Sequence, residues 1–139
     1  MRVQTVDDYD QMSEQAAQIV AAQIREKPDS VIGFATGGTP VGLYVRLIDE
    51  HREEDLDFSE LVSFNLDEYL GLGAEHPQSY HVYMWDNLFD AVNIDPARVH
   101  IPDGLTDDIE EYCGWYERQI DAHGGIDLQI LGIGANGHI

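Results

Sequence analysis

The chain has 139 residues, 43% of them hydrophobic, and sets 27 acidic side chains against 7 basic ones, for a formal charge of -20 at pH 7. That is enough chain for one domain, residues 1–139, with a core of its own, and the charge excludes nucleic acid, whose phosphates are held by lysine and arginine. No apolar stretch approaches the ~20 residues of a membrane helix, and the N-terminus MRVQTVDDYD lacks a signal-like apolar segment, so a cytoplasmic protein without membrane attachment is expected.

In chain order the pattern alternates strand and helix. Val3 to Val6 reads as a short first strand, and Met12, Ala16, Ile19, Val20 and Ile24 then share one face of a helix stopped by Pro28-Asp29. Val31 to Ala35 is an apolar strand. Thr36-Gly37-Gly38-Thr39-Pro40 turns it into a second helix, with Thr39 as cap, Pro40 at the first position, and Val41, Tyr44, Leu47 and Ile48 inward. Leu61 to Leu66 follows as a strand, Ser79 caps a helix through Phe89, Val99 to Ile101 is a short strand, and Asp107 to His123 is a helix. Its Cys113, the one cysteine, is expected to be a small buried hydrophobe among Ile109, Tyr112, Tyr116 and Ile120. Ile126 to Ile133 is nearly continuous in apolar residues, the mark of a parallel strand buried on both faces. The whole reads as α/β.

Lys27 is the single lysine. An acid-rich, lysine-poor surface suits solubility in concentrated salt, where screening removes self-repulsion, although an ordinary acidic protein also carries such a charge.

Three strands end in polar turns: Thr36-Gly37-Gly38-Thr39, Asp67-Glu68-Tyr69 and Asn136-Gly137-His138. In a parallel sheet these meet at the carboxyl edge, where open α/β sheets bind ligands. The first is either a phosphate seat, with backbone N–H groups and a helix N-terminus aimed at the anion, or a tight turn without a ligand. The second offers a partly desolvated carboxylate as a general base, or else a helix cap or solvated acid. The third places His138 as a proton shuttle, or simply beside an Asn-Gly turn. Gly132, Gly134 and Gly137 match G-x-G-x-x-G, but the following helix and the acid about 20 residues on are missing, so a dinucleotide is rejected. The remaining histidines have no metal-ligand spacing, and no metal is implied.

Thr36-Gly37-Gly38-Thr39-Pro40, Asn65-Leu66-Asp67-Glu68-Tyr69, His76-Pro77 with Ser79-Tyr80, and Gly132-Ile133-Gly134-Ala135-Asn136-Gly137-His138-Ile139 together resemble the glucosamine-6-phosphate deaminase family, over essentially the whole chain. The resemblance implies a Rossmann-like open parallel sheet with helices on both faces, truncated at its C-terminus, and conversion of glucosamine 6-phosphate and water to fructose 6-phosphate and ammonia without metal or redox cofactor. It implies that Thr36, Gly37, Gly38 and Thr39 hold the sugar phosphate, that Asp67 takes the C2 proton with support from Glu68, and that His138 opens the ring. Asn136 stands where family members carry aspartate or asparagine to orient this histidine. The sole partner implied is the sugar phosphate, with room for a homo-oligomer. The sibling 6-phosphogluconolactonases share the fold and a similar phosphate loop, and related folds serve as non-catalytic sugar-phosphate sensors. The second and third loops resemble the deaminase form.

Overall fold

The computed structural model describes residues 2–139. Four parallel strands make one sheet in the order β3-β2-β1-β4, with β1 Val31–Phe34, β2 Val62–Asn65, β3 Val99–His100 and β4 Leu128–Gln129. The helices are α1 Tyr9–Glu26, α2 Val41–Glu54, α3 Tyr80–Asn87 and α4 Ile109–Ala122. Alternation along β1 sends Ile32 and Phe34 to one face and Val31 to the other. The first face is the main core, where Phe34, Tyr44, Leu47, Leu61, Met84 and Leu88 are fully buried under α1, α2 and α3. Each such side chain contributes roughly 1.5–3 kcal/mol on leaving water. The second face is a smaller cluster of Val31, Val62 and Phe64 under Tyr116 and Ile120 of α4.

Several sequence expectations are corrected. Residues 3–6 form no strand, because four residues become a strand only through a neighbour's ladder and none pairs with them; Val3 is 76% exposed. The buried face of α1 is Ser13, Ala17, Val20, Ala21 and Ile24, while Met12 and Ile19 face outward. Small residues turn inward because α2 comes close: a Cβ on Gly42 would lie 2.2 Å from Ser13 Oγ. In α2 the fully buried residues are Leu43, Tyr44 and Leu47.

The last strand is shorter than its apolar run and is not covered on both faces. It lies at the sheet edge, with Leu131 52% and Ile133 76% exposed. Cys113 is likewise exposed. Tyr116 and Ile120 carry the packing of α4, which leaves Ile109, Tyr112 and Cys113 along an open groove of about 310 Å³. Ser79 does cap α3, accepting from Val82 N–H at 3.1 Å.

Candidate functional site

Strand order reverses at β1, which has β2 and β3 on one side and β4 on the other. The loops leaving β1 and β4 therefore diverge at their carboxyl ends. A cleft of about 500 Å³ opens there, lined by Thr36, Gly37, Gly38 and Thr39 after β1, Asp67 after β2, and Gly134 and His138 after β4, with Tyr80 at its side. Among the described residues no lysine or arginine lines it.

The first loop bends at Gly37, whose φ of 97° favours a residue without Cβ. The N–H groups of Gly37, Gly38 and Thr39 have no acceptor among the described residues. The carbonyls are occupied. Tyr83 of α3 donates to Gly37 O at 2.6 Å, and the Tyr9 hydroxyl of α1 shares its proton between Gly38 O at 3.1 Å and Thr39 O at 2.9 Å. Tyr44 donates to Ala35 O. The N-cap of α2 is Pro40 rather than Thr39, and no side chain of the cap residue serves the helix. Tyr9 takes over, its oxygen accepting from Gly42 N–H at 2.8 Å. Nothing in the local sequence of the loop announces Tyr9 or Tyr83, which lie tens of residues away.

In the second loop the two carboxylates have separated tasks. Asp67 faces the cleft, and although the residue is well exposed, enough protein surrounds its carboxyl that burial, then the charge of Glu68, raise its pKa above the usual value. Glu68 instead turns to the N-terminus of α3, accepting from Tyr80 N–H at 2.9 Å and His81 N–H at 3.1 Å, and from its neighbour Tyr69 N–H at 2.8 Å. A helix start offers unpaired donors and a positive field, both suited to a carboxylate. Tyr80 lies between the cleft and a second one of about 530 Å³ that contains none of the expected site residues. Its pKa is pushed up to about 12 by the hydrogen bond to Tyr69 and by burial, while the Thr36 hydroxyl opposes them.

The third loop folds back on itself, with Gly134 N–H donating to His138 O and Gly137 N–H to Gly134 O, both at 2.8 Å. A Cβ on Gly134 would stand 2.4 Å from the His138 ring. Asn136 Oδ1 pairs with His138 Nδ1. An amide oxygen only accepts, so Nδ1 carries the proton and Nε2 is left as the basic nitrogen. Thus Thr36 to Thr39, Asp67 and His138 share one cleft, Asn136 orients His138, and Glu68 holds the loop of Asp67 from outside.

Residues 6–139 match the family described as glucosamine-6-phosphate isomerases/6-phosphogluconolactonase. A glucosamine-6-phosphate deaminase of Clostridium botulinum (strain Loch Maree / Type A3) is 57% identical over the full chain, which covers 57% of that relative. One from Halothermothrix orenii is also 57% identical, with 58% of its length covered. Among solved structures, a monomeric glucosamine-6-phosphate deaminase superposes with a TM-score of 0.98 at 48% identity, over the whole chain and 58% of that protein. A 6-phosphogluconolactonase from Thermotoga maritima gives 0.76 at 26% identity, over 96% of this chain and 60% of its own. The chain spans a little over half the length of the relatives it matches.

Proposed function

The chain belongs to the family of glucosamine-6-phosphate isomerases and 6-phosphogluconolactonases, and from that footing we propose that it carries the phosphate seat, the C2 base and the ring-opening histidine of a glucosamine-6-phosphate deaminase. The observation that carries this reading is the convergence of Gly37 to Thr39, Asp67 and His138 on one cleft. The high identity to deaminases supports the deaminase over the lactonase.

In this reading the unpaired N–H groups of the first loop take the 6-phosphate. His138, through its free Nε2, takes the proton of the C1 hydroxyl and passes it to the ring oxygen, so that the bond between C1 and the ring oxygen breaks and the open-chain aldehyde forms. Asp67 removes the proton from C2, which its raised pKa favours, leaving an enolamine between C1 and C2. Return of that proton to C1, with O1 gaining a proton as the C2 amine gives one up, gives a C2 imine. Water adds at C2 and ammonia leaves, so the amino sugar phosphate is hydrolysed to the ketose phosphate.

The test is ammonia release from glucosamine 6-phosphate, beside hydrolysis of 6-phosphogluconolactone, by this chain and by a fusion to the C-terminal part of a longer relative. Ammonia from either form supports the deaminase. Lactone hydrolysis without ammonia overturns it, and phosphate binding without either reaction points to a sensor. In the active form Asp67→Asn should remove nearly all turnover, whereas His138→Gln should recover with substrate supplied in open-chain form. Equal recovery of both variants contradicts the assigned roles.

A further inference from the structure

We propose that Tyr9, Tyr44 and Tyr83 are positioning residues that make the first loop an anion receptor by binding its carbonyls from behind. This rests on the phosphate reading above and adds to it the device that orients the donors.

The argument is one of peptide geometry. Each peptide unit is planar and trans, so its C=O and the next N–H point in opposite directions, and the described residues include no cis bond. Tyr44 on Ala35 O, Tyr83 on Gly37 O and Tyr9 on Gly38 O therefore fix where the N–H groups of Thr36, Gly38 and Thr39 point: away from the helices that supply the hydroxyls. Residues 35–39 line the cleft, so the opposite side is the cleft itself.

A glycine-rich loop free to turn its peptides over would present carbonyl oxygens to an anion as readily as N–H groups. Here the tyrosines remove that choice. Three separate helices contribute, so the arrangement is not the habit of a single turn. Gly42 makes the reach of Tyr9 possible, since a Cβ there would stand 2.8 Å from the Tyr9 ring.

The experiment uses Tyr9→Phe and Tyr83→Phe in the full chain, with inorganic phosphate followed by the backbone amide shifts of Thr36, Gly38 and Thr39. Removing one hydroxyl should weaken phosphate about three- to tenfold, the span of one net hydrogen bond, and the double variant should lose at least the product. Gly42→Ala, which crowds Ser13 as well as the Tyr9 ring but keeps the Tyr9 hydroxyl, should weaken binding in the same direction. A role in stability alone would lower the unfolding midpoint and leave the affinity of the folded protein unchanged, and that result overturns the proposal. If the wild type binds no phosphate, the phosphate reading itself fails. Backbone 15N relaxation at Gly38 and Thr39 then decides the lock: lower order in the variants supports it, and unaltered order overturns it.

Discussion

Lys27 and Asp127 are 100 residues apart and joined by a 2.6 Å hydrogen bond, and the same carboxylate oxygen accepts from Val31 N–H at 2.8 Å. The pair fastens the start of β1 to the residue before β4. The hydrogen bond from Lys27, then that from Val31, holds the Asp127 carboxyl below its usual pKa, and the bond to Asp127 raises that of Lys27. A depressed carboxylate contributes stability above its unfolded pKa of about 3.9, lost as pH falls through the folded value. A raised lysine contributes below its unfolded pKa of about 10.4, lost as pH rises through the folded value. The tie should therefore be at full strength from about pH 4 to 10. Asp127→Asn should lower the urea midpoint slightly within that window, and the difference from wild type should shrink as pH falls below about 4. A difference that stayed constant on acidification would disprove the tie.

Glu68→Gln tests the division of labour in the second loop. An amide can still accept one N–H of α3 but loses the charge at the helix start, which should cost about 1 kcal/mol by urea unfolding. Because the charge of Glu68 raises the Asp67 pKa, its loss should also move the acid limb of an Asp67-dependent rate to lower pH. An unmoved limb would mean that burial alone sets the base.

Gly38 and Gly37 should fail differently. A Cβ at either position meets nothing within 4 Å, but Gly37 has a φ of 97°. Gly38→Val should fold as well as wild type and bind phosphate poorly, its side chain standing in the anion's path. Gly37→Ala should cost about 1 kcal/mol of stability by forcing a side chain into left-handed backbone. Full phosphate affinity in Gly38→Val, measured by calorimetry, would remove the seat from this loop.

The formal charge of -20 should make the fold salt-dependent. Glu14, Asp49, Glu50, Glu53 and Glu54 line one surface hollow along α1 and α2 beside Arg46, which pairs with Glu14, while Arg25 pairs with Glu50 and Glu54. Raising salt from 0.1 to 1 M shortens screening from about 10 to 3 Å. The thermal midpoint should rise by ~4 °C or more, the shift that about 1 kcal/mol gives a domain of this size. A flat profile in calorimetry would show that the acids are spaced too widely to repel.

Local chemistry was legible and long-range partnership was not. Ser79 as a cap, Pro28 as a stop and the three polar strand ends follow from residues acting on their immediate neighbours. Tyr9 and Tyr83 escaped because a hydroxyl reaching a carbonyl 30 or 46 residues away leaves no periodic trace. The face of α1 was misphased for a related reason. Met12 and Ile19 are more apolar than Ser13 and Ala17, yet the close approach of Gly42 favours small side chains. At Ile126 to Ile133 the apolar run was a true signal of strand, but burial depends on neighbours that composition does not specify.

The spacing of the ladders also sets an order of assembly. Val31 pairs with Val62 across a short α2 crossover, whereas Ile32 pairs with Leu128 across most of the chain. Closing the longer loop costs more entropy and slows pairing. The glycine loop and the Asp67 loop can thus take shape from the stretch between β1 and β2, and the wall bearing His138 arrives when β4 docks. In kinetic terms, truncating Leu128 should speed unfolding more than it slows folding, while truncating Phe64 should slow folding. On this order the cleft would be finished from the loop of Gly37 to Thr39 toward the histidine.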